Sequence, residues 1–209
     1  METVKSIARS RNHHVADVLL AGVAGALRRY ARDQGEVPRS IRALLPMVAP
    51  KPSSGDGLGN HYASVFVRLP VVSTDARARL EMIARDTSDR RSGGELRMAI
   101  GLTRLAGAIA PTLERWAVQW WSRRASLVVS NLAGPAVPVR LAGRRVQSIV
   151  VWAPSAASVG LSLTFFGYAG TLHVGVLTDS SVINQPEDLV VGYQAAIDEL
   201  AGGALPDKP

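Results

Sequence analysis

The chain has 209 residues, 47% of them apolar and 20% charged, the balance of a folded globular protein rather than a disordered one. It has no cysteine, which excludes disulfides, thiolate metal sites and a cysteine nucleophile. The net charge of +7 does not point to a nucleic-acid partner: it is nearly all arginine, spread along the chain, and aromatics for base stacking are only 5%.

Residues 1–10 carry scattered charges and no apolar core, so no secretory signal is read there and a cytoplasmic location is expected. From Val15 to Arg32 apolar residues recur at steps of three and four, with Arg28, Arg29 and Arg32 in the last turns, which predicts a helix ended by Asp33-Gln34-Gly35. Ile41 to Val48 and Tyr62 to Leu69 read as strands on either side of a Pro- and Gly-rich loop at 50–57. Asp75 to Ser88 reads as a helix capped by Thr74 or Ser73, with Leu80, Ile83 and Ala84 facing inward.

Leu96 to Arg124 reads as mostly helical, interrupted at Pro111. There Leu113, Trp116, Ala117, Trp120 and Trp121 fall on one stripe, with Glu114, Arg115, Gln119, Ser122 and Arg123 opposite. Two readings stay open: the stripe packs against a sheet, or Trp116, Trp120 and Trp121 form an interfacial membrane face. In the latter case the protein is peripheral at a membrane or lipid droplet.

Leu127-Val128-Val129-Ser130-Asn131-Leu132-Ala133-Gly134-Pro135 reads as a buried strand emptying at Ser-Asn into a tight loop, since Asn and Gly tolerate left-handed angles and Pro fixes the exit. Loops at strand ends are where rigid sheets place binding groups. Val137 to Leu141 and Arg145 to Trp152 read as strands joined by Ala142-Gly143. Val159 to Phe166 and Thr171 to Thr178 form a predicted hairpin, and Pro186 to Leu200 an amphipathic helix. Val146 to Thr178 has no charged residue, but its period of two and its interruption by Pro154, Gly160, Gly167 and Gly170 predict strands, not a membrane span.

Ser130 to Pro135 resembles the Ser-Asn-x-x-Gly-Pro motif of the bacterial wax ester synthase/diacylglycerol acyltransferase family. Asp17 to Tyr30 is similar to the stretch opening that family's second lobe. Ala43-Leu44-Leu45-Pro46, Leu58-Gly59-Asn60 and Leu172 to Asp179 resemble later signatures in the same order. The resemblance extends to the chloramphenicol acetyltransferase and condensation-domain superfamily. It implies an α+β fold with a mixed, largely antiparallel sheet flanked by helices, equivalent to one lobe of the two-lobed CoA-dependent acyltransferases. Residues 1–201 would be that single C-terminal-type lobe and 202–209 a tail.

The activity implied is acyl transfer from acyl-CoA to diacylglycerol, giving triacylglycerol, or to a long-chain alcohol. Acyl-CoA is then a co-substrate, with no cofactor and no metal. Ser130, Asn131, Gly134 and Pro135 would line the substrate channel, while Asp17, Gly59 and Asn60 would hold local loops. The family's general base is a histidine in His-His-x-x-x-Asp-Gly, carried by the first lobe. Here His13-His14 is followed by Asp17 one residue early and by no glycine, so both are read as ordinary residues before a helix. His61 and His173 are not expected to be bases either. No catalytic residue is assigned to this chain, which reads as a second lobe without its first, from a split gene or a degenerate remnant. Its expected partners are a first-lobe polypeptide or a second copy of itself. The alternative is a non-catalytic lipid- or partner-binding module. Neither a nucleophile elbow nor a phosphate-binding loop is present.

Overall fold

A computed structural model describes residues 1–48, 62–92, 94, 123–153 and 159–202. It contains the helices α1 (Glu2–Ser10), α2 (Val15–Asp33), α3 (Ala76–Ser92) and α4 (Pro186–Gly202). The strands are β1 (Ile41–Val48), β2 (Tyr62–Leu69), β3 (Leu127–Ala133), β4 (Arg140–Leu141), β5 (Arg144–Arg145), β6 (Leu161–Tyr168) and β7 (Thr171–Thr178). Five strands make one mixed sheet in the order β2-β1-β3-β6-β7, and β4 and β5 pair separately. The outer pairs β1–β2 and β6–β7 are antiparallel, while β3 runs parallel to both its neighbours.

Alternation decides which face each strand buries. Ala43 and Leu45 of β1, Val65, Val67 and Leu69 of β2, Leu127 and Val129 of β3, and Leu161, Leu163 and Phe165 of β6 face the helices and form the core with them. The parallel β1–β3 ladder covers only Ala43 and Leu44, ahead of Pro46, which has no N–H to donate. On the opposite face Leu44, Phe66, Val128, Ala125 and Val159 make a second, smaller cluster.

α2 is buried nearly all round from Asp17 to Leu27, because α1, α3, α4 and the sheet surround it. Its contact with α4 is unusually close. A Cβ on Gly22 would meet the Tyr193 ring at 2.6 Å, and one on Gly25 would meet the Ala196 side chain at 2.6 Å. Glycine is required at these two places by space rather than by backbone angle. Between α2, α3 and α4 lies Arg79, only 1% exposed, which donates to the Ser73 carbonyl at 3.0 Å and sits 3.5 Å from Glu199. Arg29 reaches the same carboxylate from α2 at 3.2 Å.

Two local expectations are corrected, and one helix is added that the residue pattern did not predict. The cap of α3 is Asp75, whose carboxylate accepts from Arg77 N–H at 2.8 Å, rather than Ser73 or Thr74. Residues 2–10 form a helix, with Val4, Ile7 and Ala8 buried beneath the scattered charges. The strands expected at 137–141 and 145–152 shrink to two residues each, around an Ala142-Gly143 turn with φ of +48° and +79°. Beyond β5 the backbone runs over β6 and bonds to its side-chain hydroxyls instead of to a neighbouring strand. The helix expected over 96–124 and the loop at 50–57 lie outside the described residues, apart from Arg123 and Arg124.

Candidate functional site

Ser130 and Asn131 lie within β3, not in the loop after it, and this corrects the expected strand end. The ladder to β6 continues from Ser130 opposite Thr164 to Ala133 opposite Gly167. What changes at Ser-Asn is cover: Leu127 to Ser130 are buried, Ser130 at 8%, and Asn131 to Ala133 are exposed. The strand keeps its ladder to β6, but not to β1, while it projects past the layers that bury its first half. Polarity therefore marked the edge of the core, and the backbone pairing ran on.

The chain leaves β3 through Gly134-Pro135, whose backbone is tied to β6 and to the turn that follows it. Gly134 N–H donates to Gly167 O and Ala169 N–H to Pro135 O, both at 2.9 Å. Gly134 has no positive φ. Its need is steric, because a Cβ there would strike the Phe166 ring and come within 2.5 Å of the Gly167 carbonyl. The carboxyl ends of β3 and β6 and the Ala169-Gly170 turn are thus brought to one end of the sheet, with Ser130 at its base.

Beside Ser130, β6 presents a run of hydroxyls on the face away from the helices. Ser162 Oγ donates to Ala153 O at 3.1 Å, and Thr164 Oγ1 accepts from Ala153 N–H at 2.8 Å. Tyr168 Oη accepts from Val139 N–H and donates to Val146 O, each at 2.9 Å. These three side chains pin residues 139–153 across the sheet, with Gly175 leaving room for Val151 O and Trp152. Their role was missed from sequence, although the polar alternation of Ser162, Thr164 and Tyr168 inside an apolar strand was a readable signal. His173 pairs with Phe166 in the ladder, and its ring lies 6.4 Å from that of Tyr168. Its Nε2 is buried without a hydrogen-bond partner among the described residues.

Asp17 is elsewhere. It is the third residue of α2 and is fully buried. Its carboxylate accepts from His14 N–H at 3.0 Å, Thr87 Oγ1 at 2.7 Å and Arg91 Nη2 at 3.3 Å, so it caps α2 and joins it to α3. His14 is the residue before the helix, and His13 Nε2 lies 3.1 Å from Glu81. None of the Asp17 bonds goes to β3. Gly59, Asn60, His61, Trp116, Trp120 and Trp121 lie outside the described residues. Among those described, no group of three or more His, Asp or Glu side chains is placed to hold a metal ion. No helix among them is long and apolar enough to cross a membrane.

A mixed five-stranded sheet of this order, packed on helices and open at the carboxyl end of its central strand, is one lobe of the two-lobed acyltransferase fold. The wax ester synthase/diacylglycerol acyltransferase from Marinobacter aquaeolei VT8 superimposes with a TM-score of 0.69 at 17% identity, over 98% of this chain and 47% of that one. The first condensation domain of the CDA synthetase follows at 0.56 and 18%, over 97% of this chain and 42% of that one. Residues 58–201 match the WS/DGAT C-terminal domain family, and the chain belongs to it. It is 26% identical over 203 residues to a Mycobacterium tuberculosis H37Rv protein named a probable diacylglycerol O-acyltransferase, covering 94% of this chain and 44% of that protein. A second relative from the same strain, with the same class of name, is 27% identical over 212 residues, 96% of this chain and 42% of its own length. The chain therefore spans less than half the length of these curated relatives.

Proposed function

We propose that this chain is the C-terminal half of an acyl-CoA-dependent O-acyltransferase that forms triacylglycerol from diacylglycerol, and that it works with a first lobe. The observation carrying the proposal is the uncovered carboxyl end of β3. Asn131, Leu132 and Ala133 are exposed while still paired to β6, β1 having parted from β3 after Val128, next to the Gly134-Pro135 exit. A central strand emerging bare from its own core is suited to forming one wall of a cleft whose other wall is a second body. Ser130, Asn131, Gly134 and Pro135 shape that wall, Ser130 and Asn131 through side chains and Gly134 by close packing on β6. Asp17 acts at a distance by fixing α2 against α3.

Acyl transfer to a hydroxyl needs a base near neutral pKa within hydrogen-bond reach of the acceptor. His13 is turned toward Glu81 and His14 starts a helix, so neither is offered to the end of β3. In this proposal the base comes from the first lobe, acyl-CoA is the co-substrate, and this chain contributes shape and orientation. The family match and the M. tuberculosis relatives named for diacylglycerol acyl transfer support that choice of acceptor.

The test is triacylglycerol formation from labelled acyl-CoA and diacylglycerol, with this chain alone and with a purified first lobe from a relative. Product is expected only from the combination. Product from the chain alone that survives replacement of His13 and His14 by alanine would overturn the half-enzyme reading. Tight association of the two lobes without product would favour the non-catalytic binding module.

A further inference from the structure

We propose that two copies of this chain join edge to edge through β7, about a two-fold axis at Gly175. β7 is the last strand of the sheet, and among the described residues nothing pairs with its outer edge. The hairpin to β6 fixes which backbone groups face that edge. Tyr168 and Thr171 flank the two-residue turn Ala169-Gly170, with φ of +48° and +83°, and the pair flanking such a turn exchanges both hydrogen bonds. Along an antiparallel ladder these doubly bonded pairs alternate. Asp179 N–H donates to Gly160 O at 2.8 Å, in step with that alternation. Thr171, His173, Gly175 and Leu177 therefore bond inward to β6, and Leu172, Val174, Val176 and Thr178 turn their N–H and C=O outward.

These outward groups complement a copy of themselves. A two-fold axis through Gly175 sets Leu172 against Thr178 of the second copy and Val174 against its Val176, so every outward residue meets another. Both helix layers then lie on one side of a sheet that runs through both copies. At the axis the two Gly175 residues form a pair without hydrogen bonds, about 4.5 Å apart at Cα. Trp152 lies over Gly175, 3.3 Å from where a Cβ would stand, and is 56% exposed, so the axis brings the two indoles together. Leu177, exposed on the same face, widens the apolar contact. Neither a charged residue nor a proline protects this edge between Thr171 and Thr178. The opposite edge of the sheet is closed instead: Asp86 of α3 accepts the Arg68 N–H of β2 at 2.8 Å and the Arg90 guanidinium at 3.0 Å. A strand from another protein would find the same bonds, but the match of outward groups and the pairing of Trp152 select a second copy. The edge is two strands away from β3, so the wall proposed for a first lobe stays open.

The test is sedimentation velocity of the full chain alone over a concentration series. It involves neither acyl transfer nor a first lobe, and its failure leaves that reading untouched. The wild-type chain is expected to move from the mass of one copy to that of two. Val176→Pro removes an outward N–H that a single chain does not use, as edge strands tolerate, and circular dichroism checks that it folds. The loss of two bonds across the axis should weaken the dimer roughly thirtyfold. Trp152→Ala should weaken it roughly tenfold, while Met82→Lys, exposed on α3 beside the closed edge, should change nothing. The chain has no cysteine, so cross-linking reads the register directly. His173→Cys combined with Leu177→Cys places the two thiols opposite each other across the axis and should give a disulfide-linked dimer on oxidation. Leu177→Cys alone, roughly 13 Å from its counterpart along the strands, should not. A wild-type chain that stays monomeric throughout overturns the proposal. So does a dimer indifferent to Val176→Pro, or one cross-linked as well by Leu177→Cys alone.

Discussion

Replacing Gly134 by alanine should destabilise the protein well beyond the usual cost of a surface substitution. The added methyl would strike the Phe166 ring and come within 2.5 Å of the Gly167 carbonyl. The ring could turn aside, but the carbonyl is fixed by the β3–β6 ladder and already accepts the Gly134 N–H at 2.9 Å. Relief therefore requires the exit of β3 to lift off β6. Overpacking of this kind costs about 1–3 kcal/mol, and the lost backbone hydrogen bond adds about 1 kcal/mol. For a chain of this length the total corresponds to a fall in Tm of roughly 5–15 °C, measured by circular dichroism at 222 nm. Adding Phe166→Leu should restore only part of the loss, since it clears the ring and leaves the carbonyl. A Gly134→Ala melt within about 2 °C of wild type would refute the steric reasoning, and full rescue by Phe166→Leu would refute the part assigned to the carbonyl.

Asp17→Ala should lower stability by about 3–5 kcal/mol, because it removes a buried carboxylate and strands its donors; Thr87→Val, which breaks one of the three bonds, should cost less in the same urea titration. Burial holds the Tyr193 phenol well above its ordinary pKa, and its hydroxyl is buried without a partner among the described residues. Its folded-state pKa is raised, so its contribution is fully present below the unfolded value near 10 and is lost as pH rises above it. Tyr193→Phe should accordingly leave neutral-pH stability equal or higher and reduce the fall of Tm between pH 10 and 11. Thr164→Val should free the Ala153 N–H and speed its hydrogen exchange, with little effect on the exchange of Leu163 in the same strand.

Much of this architecture was legible because period and polarity act on side chains, and side chains are what a sequence displays. β1 and β2 end where the alternation ends, and α2 begins and stops within a residue of its apolar repeat. The misread strand ends share one cause, which is that backbone bonds are blind to side-chain polarity. Ser130-Asn131 looked like a strand end because the cover stops there, while the parallel ladder to β6 continues to Ala133. Residues 145–152 read as a strand because they are mostly apolar, yet hydroxyls of β6 hold the backbone at Val146 and, just beyond the range, at Ala153. Asp75 was passed over as a cap because two hydroxyl residues stood just before it. The motif at 130–135 was found from its residues, but the steric demand at Gly134 depends on Phe166 and Gly167 and needs the fold.

The position of β3 has a consequence for how the chain assembles. β1–β2 and β6–β7 are antiparallel pairs of near neighbours, whereas β3 joins them in parallel and lies far along the chain from β1. Parallel pairing between distant segments forms late, after the entropy of closing a long loop has been overcome. The helix layer imposes the same order, since α2 is sealed by α4, the last described element. During synthesis the first half can therefore build its hairpin and helices but cannot bury Gly22, Gly25 and Ala26 until α4 has emerged. Until then the nascent polypeptide holds an apolar helix surface open, and it is in that interval, rather than in the finished fold, that it most needs a chaperone.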